Sequence, residues 1–225
     1  MASLLYVIAV PIGNPADITQ NAIDILKSID ALICEEYKSG ARLLSTIGTK
    51  TSLHILNEHS TLADINSLFQ KLFIENSGTY GLVSDAGTPC FADPGAELVQ
   101  LCYSAQIPVR SVPGASSLSA ALMLAGKRME RFLYYGFLSA NEEKRKKELL
   151  HIKNSQTCDY FFLEAPYRLR SLTRDMCATL GQHRKIRLFY KLSYPEEKVF
   201  ICTLGELLTI AKTLPKGEFI LLLEK

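Results

Sequence analysis

Short unbroken apolar runs alternate along the chain with segments whose apolar residues recur every three or four positions, so strands and helices are predicted in turn. Residues 4–10, Leu-Leu-Tyr-Val-Ile-Ala-Val, predict a strand buried on both faces of a parallel sheet. Pro11 to Pro15 reads as a loop, and Asp17 as the cap of a helix with apolar positions Ala22, Ile23, Leu26 and Ile29. The rhythm continues with strands over 31–34, 51–56, 80–83 and 107–112, and helices over 40–46, 62–73, 96–104 and 118–124. Alternation of this kind with short connections predicts a mainly parallel sheet with helices on both faces.

Past Gly126 the order changes. Strands are predicted over 131–138, 159–164, 186–192, 199–203 and 218–223, with helices over 141–152, 167–180 and 204–212. Two strands flank Tyr194-Pro195-Glu196-Glu197, which predicts an antiparallel hairpin and hence a mixed sheet. The fold class is therefore α/β, with a division between residues 113 and 131. Phe132, Tyr134, Tyr135 and Phe137 fall in a strand, and core packing is the expectation for them, with any exposed alternating members free to meet a base.

The central feature is the stretch from Gly81 to Gly95, where a strand gives way to Ser84-Asp85-Ala86-Gly87-Thr88-Pro89 and Asp93-Pro94-Gly95 before a helix begins. Glycines permit close backbone approach while prolines stiffen the loop, so amide groups and Asp85 can face a ligand at the carboxyl end of a strand. Two more small-residue loops follow strands, at Pro11-Ile12-Gly13-Asn14 and Pro113-Gly114-Ala115-Ser116-Ser117. Three such loops in one half suggest a shared binding rim.

Composition adds less than charge distribution does. With 48% apolar and 21% charged residues the chain can bury a full core, and no apolar run approaches the length of a membrane span. The start lacks the basic region of a secretory signal, and the expectation is a cytoplasmic protein. Six scattered cysteines without C-x-x-C spacing argue against a disulfide framework or a metal site, and His54, His151 and His183 show no metal spacing. Residues 1–120 hold six Lys or Arg against 11 Asp or Glu, a balance of −5, while the remainder holds 19 against 12, a balance of +7. A basic half can bind a polyanion such as nucleic acid. Lys144-Arg145-Lys146-Lys147 reads as a solvated helix face with at most an RNA-steering role, because four consecutive residues cannot share one side of a helix.

Taken in order, Leu5-Tyr6-Val7, Pro11-Ile12-Gly13-Asn14, Asp17-Ile18-Thr19, the 84–89 and 93–95 segments, Val112-Pro113-Gly114, Arg131-Phe132, Gly136-Phe137-Leu138, Glu164-Ala165-Pro166-Tyr167-Arg168-Leu169 and Lys216-Gly217-Glu218 resemble the tetrapyrrole methylase superfamily of S-adenosylmethionine-dependent enzymes. Within it they are most similar to the branch that methylates a cytidine ribose 2′-hydroxyl in 16S ribosomal RNA. The resemblance implies a two-domain tetrapyrrole-methylase-like fold, residues 1–114 and 115–225, with the donor in a cleft between them and usually a homodimer. It implies donor contacts from Pro11, Gly13, Asp85, Ala86, Gly87, Ser116, Leu163 and Gly217, and no metal. Porphyrin and corrin methylases typically begin with a G-x-G-x-G-D loop, where this chain has Pro-Ile-Gly-Asn.

Two stretches depart from the RNA branch. Glu35-Glu36-Tyr37-Lys38 stands where that branch commonly has Glu-Asp-Thr-Arg, and Phe189 to Tyr194 where it has Ala-Arg-Glu-Leu-Thr-Lys. Glu36, Lys38, Glu164 and Arg168 are the candidates for catalysis and acceptor binding: a carboxylate to accept the hydroxyl proton, and cations for phosphate, with pairing to Glu164 the other use of Arg168. Tyr37 reads as a packing residue, and His59 as either a cleft or a surface residue. The acceptor is then ribosomal RNA or the small ribosomal subunit. A tetrapyrrole or other small-molecule acceptor, or a catalytically silent donor-binding module, are the alternatives.

Overall fold

The computed structural model describes residues 3–155 and 157–225, which divide into two compact units, Met1–Ser116 and Ser117–Lys225. The first is built on five parallel strands, β1 (Leu4–Ile8), β2 (Ala31–Cys34), β3 (Ser52–Ile55), β4 (Thr79–Leu82) and β5 (Val109–Val112), in the order β3-β2-β4-β1-β5. Between them run α1 (Gln20–Ser28), α2 (Tyr37–Thr46), α3 (Leu62–Phe69), which continues into a π-helical stretch at Gln70–Glu75, and α4 (Ala96–Ser104).

Side-chain alternation explains why these strands read as continuous apolar runs. Leu5, Ala31, Ile33, Tyr80 and Leu82 point to one face of the sheet and pack with Ile65, Phe69, Leu98 and Cys102 of α3 and α4. Ile8, Leu32, Cys34, Val83 and Val112 share the other core, with Ala22 and Leu26 of α1 and Leu44 of α2. Each fully buried aliphatic side chain contributes roughly 1.5–3 kcal/mol, and both faces being covered is what a parallel sheet requires.

Local chemistry corrects several expected boundaries. The cap of α1 is Thr19, whose Oγ1 accepts the Ala22 amide at 3.1 Å, and Asp17 lies in a short 3-10 turn before it. The first strand ends at Ile8, and Val10 instead forms an isolated antiparallel bridge with Gly87. α2 starts at Tyr37, three residues before its expected start, and Tyr37 is 62% exposed instead of packed. Gly95 caps α4 with φ +125°, where a Cβ would sit 2.7 Å from Leu82 Cδ2, so the loop can turn into the helix there only without a side chain.

The second unit comprises α5 (Ser117–Met123), β6 (Phe132–Phe137), α6 (Glu142–Ser155), β7 (Asp159–Glu164), α7 (Leu169–Leu180), β8 (Lys185–Tyr190), β9 (Lys198–Thr203), α8 (Leu204–Thr213) and β10 (Phe219–Leu223). Its sheet has the order β6-β7-β10-β8-β9. β6 pairs parallel with β7 and the other pairings are antiparallel, so the hairpin joining β8 and β9 makes the sheet mixed, as its sequence suggests. Tyr160, Phe162, Ile186, Leu188, Leu221 and Leu223 form a core with Leu149, Ile152, Leu172, Met176 and Leu207 of the helices.

A bulge between Tyr134 and Gly136 turns Tyr135 onto the same core as Tyr160 and Phe162, whereas Phe137 is 51% exposed, contrary to core packing. Arg145 is also unlike a solvated residue. It is buried, its Nε donates to Asp175 at 2.7 Å, and its Nη1 donates to the carbonyls of Ser139 and Ala140. Lys144, Lys146 and Lys147 on the same helix are exposed.

Candidate functional site

Parallel pairing brings the carboxyl ends of β2, β4, β1 and β5 side by side; β4, β1 and β5 are each followed by one of the three loops singled out in the sequence, and β2 by Glu35-Glu36. The loops are tied to one another. Val10 N–H donates to the Gly87 carbonyl at 2.8 Å and Gly87 N–H returns a bond to Val10 O at 3.1 Å, joining the Pro11 loop to the Asp85 loop. Thr88 Oγ1 donates to Ala115 O at 3.2 Å, joining the Asp85 loop to the Pro113 loop. Gly87 has φ +80°, and a Cβ there would lie 3.1 Å from Ile12 Cγ2; one on Gly114 would lie 3.1 Å from Ala9 Cβ. Pro11, Gly13, Asp85, Ala86, Gly87 and Ser116 therefore share one rim of the first unit. Asp85 and Ala86 are exposed on it while Gly87 is buried beneath them.

The acidic residue that meets this rim is Glu35, which the sequence reading mentions only as part of a four-residue departure. Its Oε1 accepts the Asp85 amide at 3.2 Å. Burial, then the charges of Asp93, Asp85 and Glu58, push its carboxyl up to about 7 against the single favourable Asp85 N–H. Asp93 is also pushed up, by burial and Asp85, although the Ser84 hydroxyl opposes this. Glu36 points elsewhere: it is exposed at the amino end of α2, and its Oε2 accepts the Ser39 hydroxyl at 3.4 Å. Lys38 is exposed in the first turn of the same helix, and His59 is exposed beside Glu58. The signal that distinguishes the two glutamates is position, because Glu35 directly follows the strand and faces the neighbouring strand's loop.

In the second unit, Leu163 and Glu164 close β7, and Gly217 precedes the β10 end that pairs with them. A Cβ on Gly217 would fall 2.8 Å from the Tyr190 hydroxyl and 2.9 Å from Lys191 Cε, so this turn accommodates only glycine without rearrangement. Glu164 has no exposed side-chain surface; its Oε1 meets Arg168 Nη1 at 3.0 Å and accepts the Ala165 amide at 2.8 Å. Its Oε2 has no hydrogen-bond partner among the described residues. Burial pushes this carboxyl up, with the Ala165 amide, Arg168 and Arg145 acting in the opposite direction. Arg168 spends its other donors on Leu138 O and Ser139 O, at 3.1 and 3.0 Å, so it fastens the segment after β6.

Beside Arg168 lies a hollow of about 300 Å³ lined by Tyr167, Arg170, Leu214 and Lys216 among others. Tyr167 is 72% exposed there, and Arg170 is held by the carbonyls of Ala211 and Lys212. Burial raises the thiols of Cys34 and Cys90 to about 11, which leaves them protonated at neutral pH. Among the described residues no group of three or more His, Cys, Asp or Glu is placed to hold a metal ion, and no helix is long and apolar enough to cross a membrane.

Comparison with known proteins accounts for this architecture. Residues 4–208 match the family of Tetrapyrrole (Corrin/Porphyrin) Methylases. The ribosomal RNA small subunit methyltransferase I of Vibrio cholerae is 38% identical over 98% of this chain and 77% of its own length. Its namesake in Leptospira borgpetersenii is 38% identical over 95% and 85%, and that of Bacillus subtilis 33% identical over 98% and 75%. Among solved structures, a diphthine synthase superposes with a TM-score of 0.76 at 16% identity, covering 100% of this chain and 90% of that one. The uroporphyrin-III-C-methyltransferase of Thermus thermophilus gives 0.68 at 17% identity, covering 99% and 94%. The fold, the run of matched residues and the level of identity agree, and the chain belongs to the tetrapyrrole methylase family.

Proposed function

We propose that this chain, an S-adenosylmethionine-dependent methyltransferase of the tetrapyrrole methylase family, methylates a cytidine ribose 2′-hydroxyl in 16S ribosomal RNA. The observation that carries the reading is identity of 38% across 98% of the chain to a relative named as a small-subunit ribosomal RNA methyltransferase. The linked loops of the first unit support the donor half. Gly87 and Gly114 let the loops pack closely against Ile12 and Ala9, which holds the rim in shape, and Asp85 and Ala86 stand open on it, which suits a nucleoside bearing a small cationic amino-acid tail. Pro11, Gly13, Asp85, Ala86, Gly87 and Ser116 hold the donor in this reading, and Leu163 and Gly217 are the donor contacts that the family resemblance implies from the second unit.

The donor supplies a methyl group on a sulfonium, and transfer is an in-line displacement. The protein's main task is to hold the hydroxyl oxygen at near-attack distance, a positioning effect worth up to ~7–11 kcal/mol. The acceptor side draws on Glu36 and Lys38, both open to solvent, and on Tyr167 and Lys216 beside the hollow of the second unit. Glu164 and Arg168 act there by fixing the segment after β6. A homodimer is part of the same reading.

Incubation with radiolabelled donor and small ribosomal subunits, free 16S RNA or uroporphyrinogen tests it. Label is expected in RNA, in a dinucleotide that resists alkaline cleavage. Label in uroporphyrinogen and none in RNA refutes the acceptor assignment, and donor binding without transfer to any of the three leaves a silent module.

A further inference from the structure

We propose that Glu35 makes the binding site select the cationic methyl donor over the neutral thioether product, by giving up a proton as the donor binds. The inference rests on the donor-binding reading and adds to it a residue and a charge mechanism. The geometry places the Glu35 carboxylate directly against the rim, where its Oε1 accepts the Asp85 amide at 3.2 Å. Every charged neighbour that acts on it is acidic: Asp85 and Asp93 from the loop after β4, and Glu58 from the loop after β3. Its other titratable neighbour, Cys34 on β2, is a protonated thiol at neutral pH. Among the described residues none of Glu35, Asp85 and Asp93 forms an ion pair with Lys, Arg or His.

Two half-buried carboxylates, Glu35 and Asp93, beside the exposed Asp85 and without a countercharge are costly to ionise together, and Glu35 relieves the cost by holding its proton up to about pH 7. A sulfonium brought to the rim supplies the missing positive charge and favours the ionised form. Binding and proton release are then linked, and the proton goes to solvent. Methyl transfer removes the charge from sulfur, so the product loses this attraction while keeping the same nucleoside and amino-acid groups. The site would thus weaken its hold once transfer is complete.

Titration calorimetry with S-adenosylmethionine and S-adenosylhomocysteine, at pH 6 to 8 and in buffers of different ionisation enthalpy, tests the proposal. If the donor requires ionised Glu35, its affinity rises about tenfold between pH 6 and 8, with net proton release near pH 6.5. Product affinity changes less than twofold. The ligands' own amino groups also contribute to the pH dependence of the ratio of affinities, the donor's losing its proton at lower pH because of the neighbouring sulfonium, but that contribution is the same in wild type and Glu35→Gln, so the difference between the two proteins isolates Glu35. Glu35→Gln retains a carbonyl acceptor for the Asp85 amide; it should flatten the pH dependence of that ratio and bring donor and product affinities closer. A wild-type ratio independent of pH, or a Glu35→Gln variant with the wild-type slope, overturns the proposal alone. Folded protein that binds neither ligand overturns the donor-binding reading, and the proposal with it.

Discussion

Arg168→Ala should destabilise the protein in a way that depends on pH, because it strands a carboxyl with no exposed side-chain surface. The guanidinium faces Glu164 Oε1 at 3.0 Å and donates to Leu138 O and Ser139 O. After its removal Ser139 O still accepts Arg145 Nη1 at 2.9 Å, whereas Leu138 O loses the donor described for it, at ~1 kcal/mol. Glu164 keeps only the Ala165 amide, and its escape is to take a proton. For a carboxyl of ordinary value 4.5, neutralisation at pH 7 costs about 3.4 kcal/mol. That is a ceiling, since burial already pushes the wild-type group up and so part of the cost is present before the mutation. The expected loss at pH 7 is between about 2 and 5 kcal/mol, in line with breaking a buried ion pair. The sign follows from the folded form binding the extra proton. Its stability falls as pH rises through the interval between 4.5 and the raised folded value. Urea denaturation should therefore show the deficit of Arg168→Ala shrinking from pH 7 to pH 5, by as much as about 2.7 kcal/mol. Adding Glu164→Gln to the variant should remove that pH dependence. A deficit below ~1 kcal/mol at pH 7, or one equal at the two pH values, refutes the argument.

Three further outcomes concern the rim and the basic unit. Gly87→Val must adopt φ +80° with a Cβ 3.1 Å from Ile12 Cγ2, so the bridge to Val10 opens or the loop shifts. Calorimetry should show donor affinity lowered tenfold or more while circular dichroism stays native, and unchanged affinity contradicts the placement. Asp85→Ala should weaken the same binding through lost charge, with a smaller dependence on salt than the wild type. Replacing Lys144, Lys146 and Lys147 together by Glu should lower affinity for RNA and flatten its decline with salt, measured by filter binding over 50–200 mM salt. An unaltered salt slope removes that helix from the RNA surface.

The alternation of strands and helices was legible because each unit buries its strands between or beneath helices, and burial writes itself into the sequence as apolar runs. α4 begins at Ala96 and β7 spans Asp159 to Glu164, as the patterns alone suggest. Ends were less legible where hydrogen bonding, rather than burial, decides them. Val10 is as buried as a strand residue, yet Pro11 follows it and its partner is a loop glycine, so the run continues after the ladder has stopped. Asp17 and Thr19 are both competent caps by residue type, but Asp17 is taken up in the 3-10 turn, and it is Thr19 that stands extended at the start of α1 and accepts the Ala22 amide.

Charge was the least legible property, since a sequence lists ionisable groups without saying what they face. Arg145 stands among three exposed lysines but points inward to Asp175. The same holds for Glu35 and Glu36, adjacent and chemically identical. Glu35 is held at the end of the β2 backbone, where the parallel pairing of β2 with β4 carries it to the amide of Asp85. Glu36 is one residue further on and turns outward with the start of α2. A carboxylate's chemistry at this rim is thus set by strand register, and moving it by one residue replaces a group poised near neutrality by one in open solvent. The loops of the first unit can be read as motifs because they require particular small residues. Its charge chemistry becomes visible only when neighbouring strands that are distant in sequence are laid side by side.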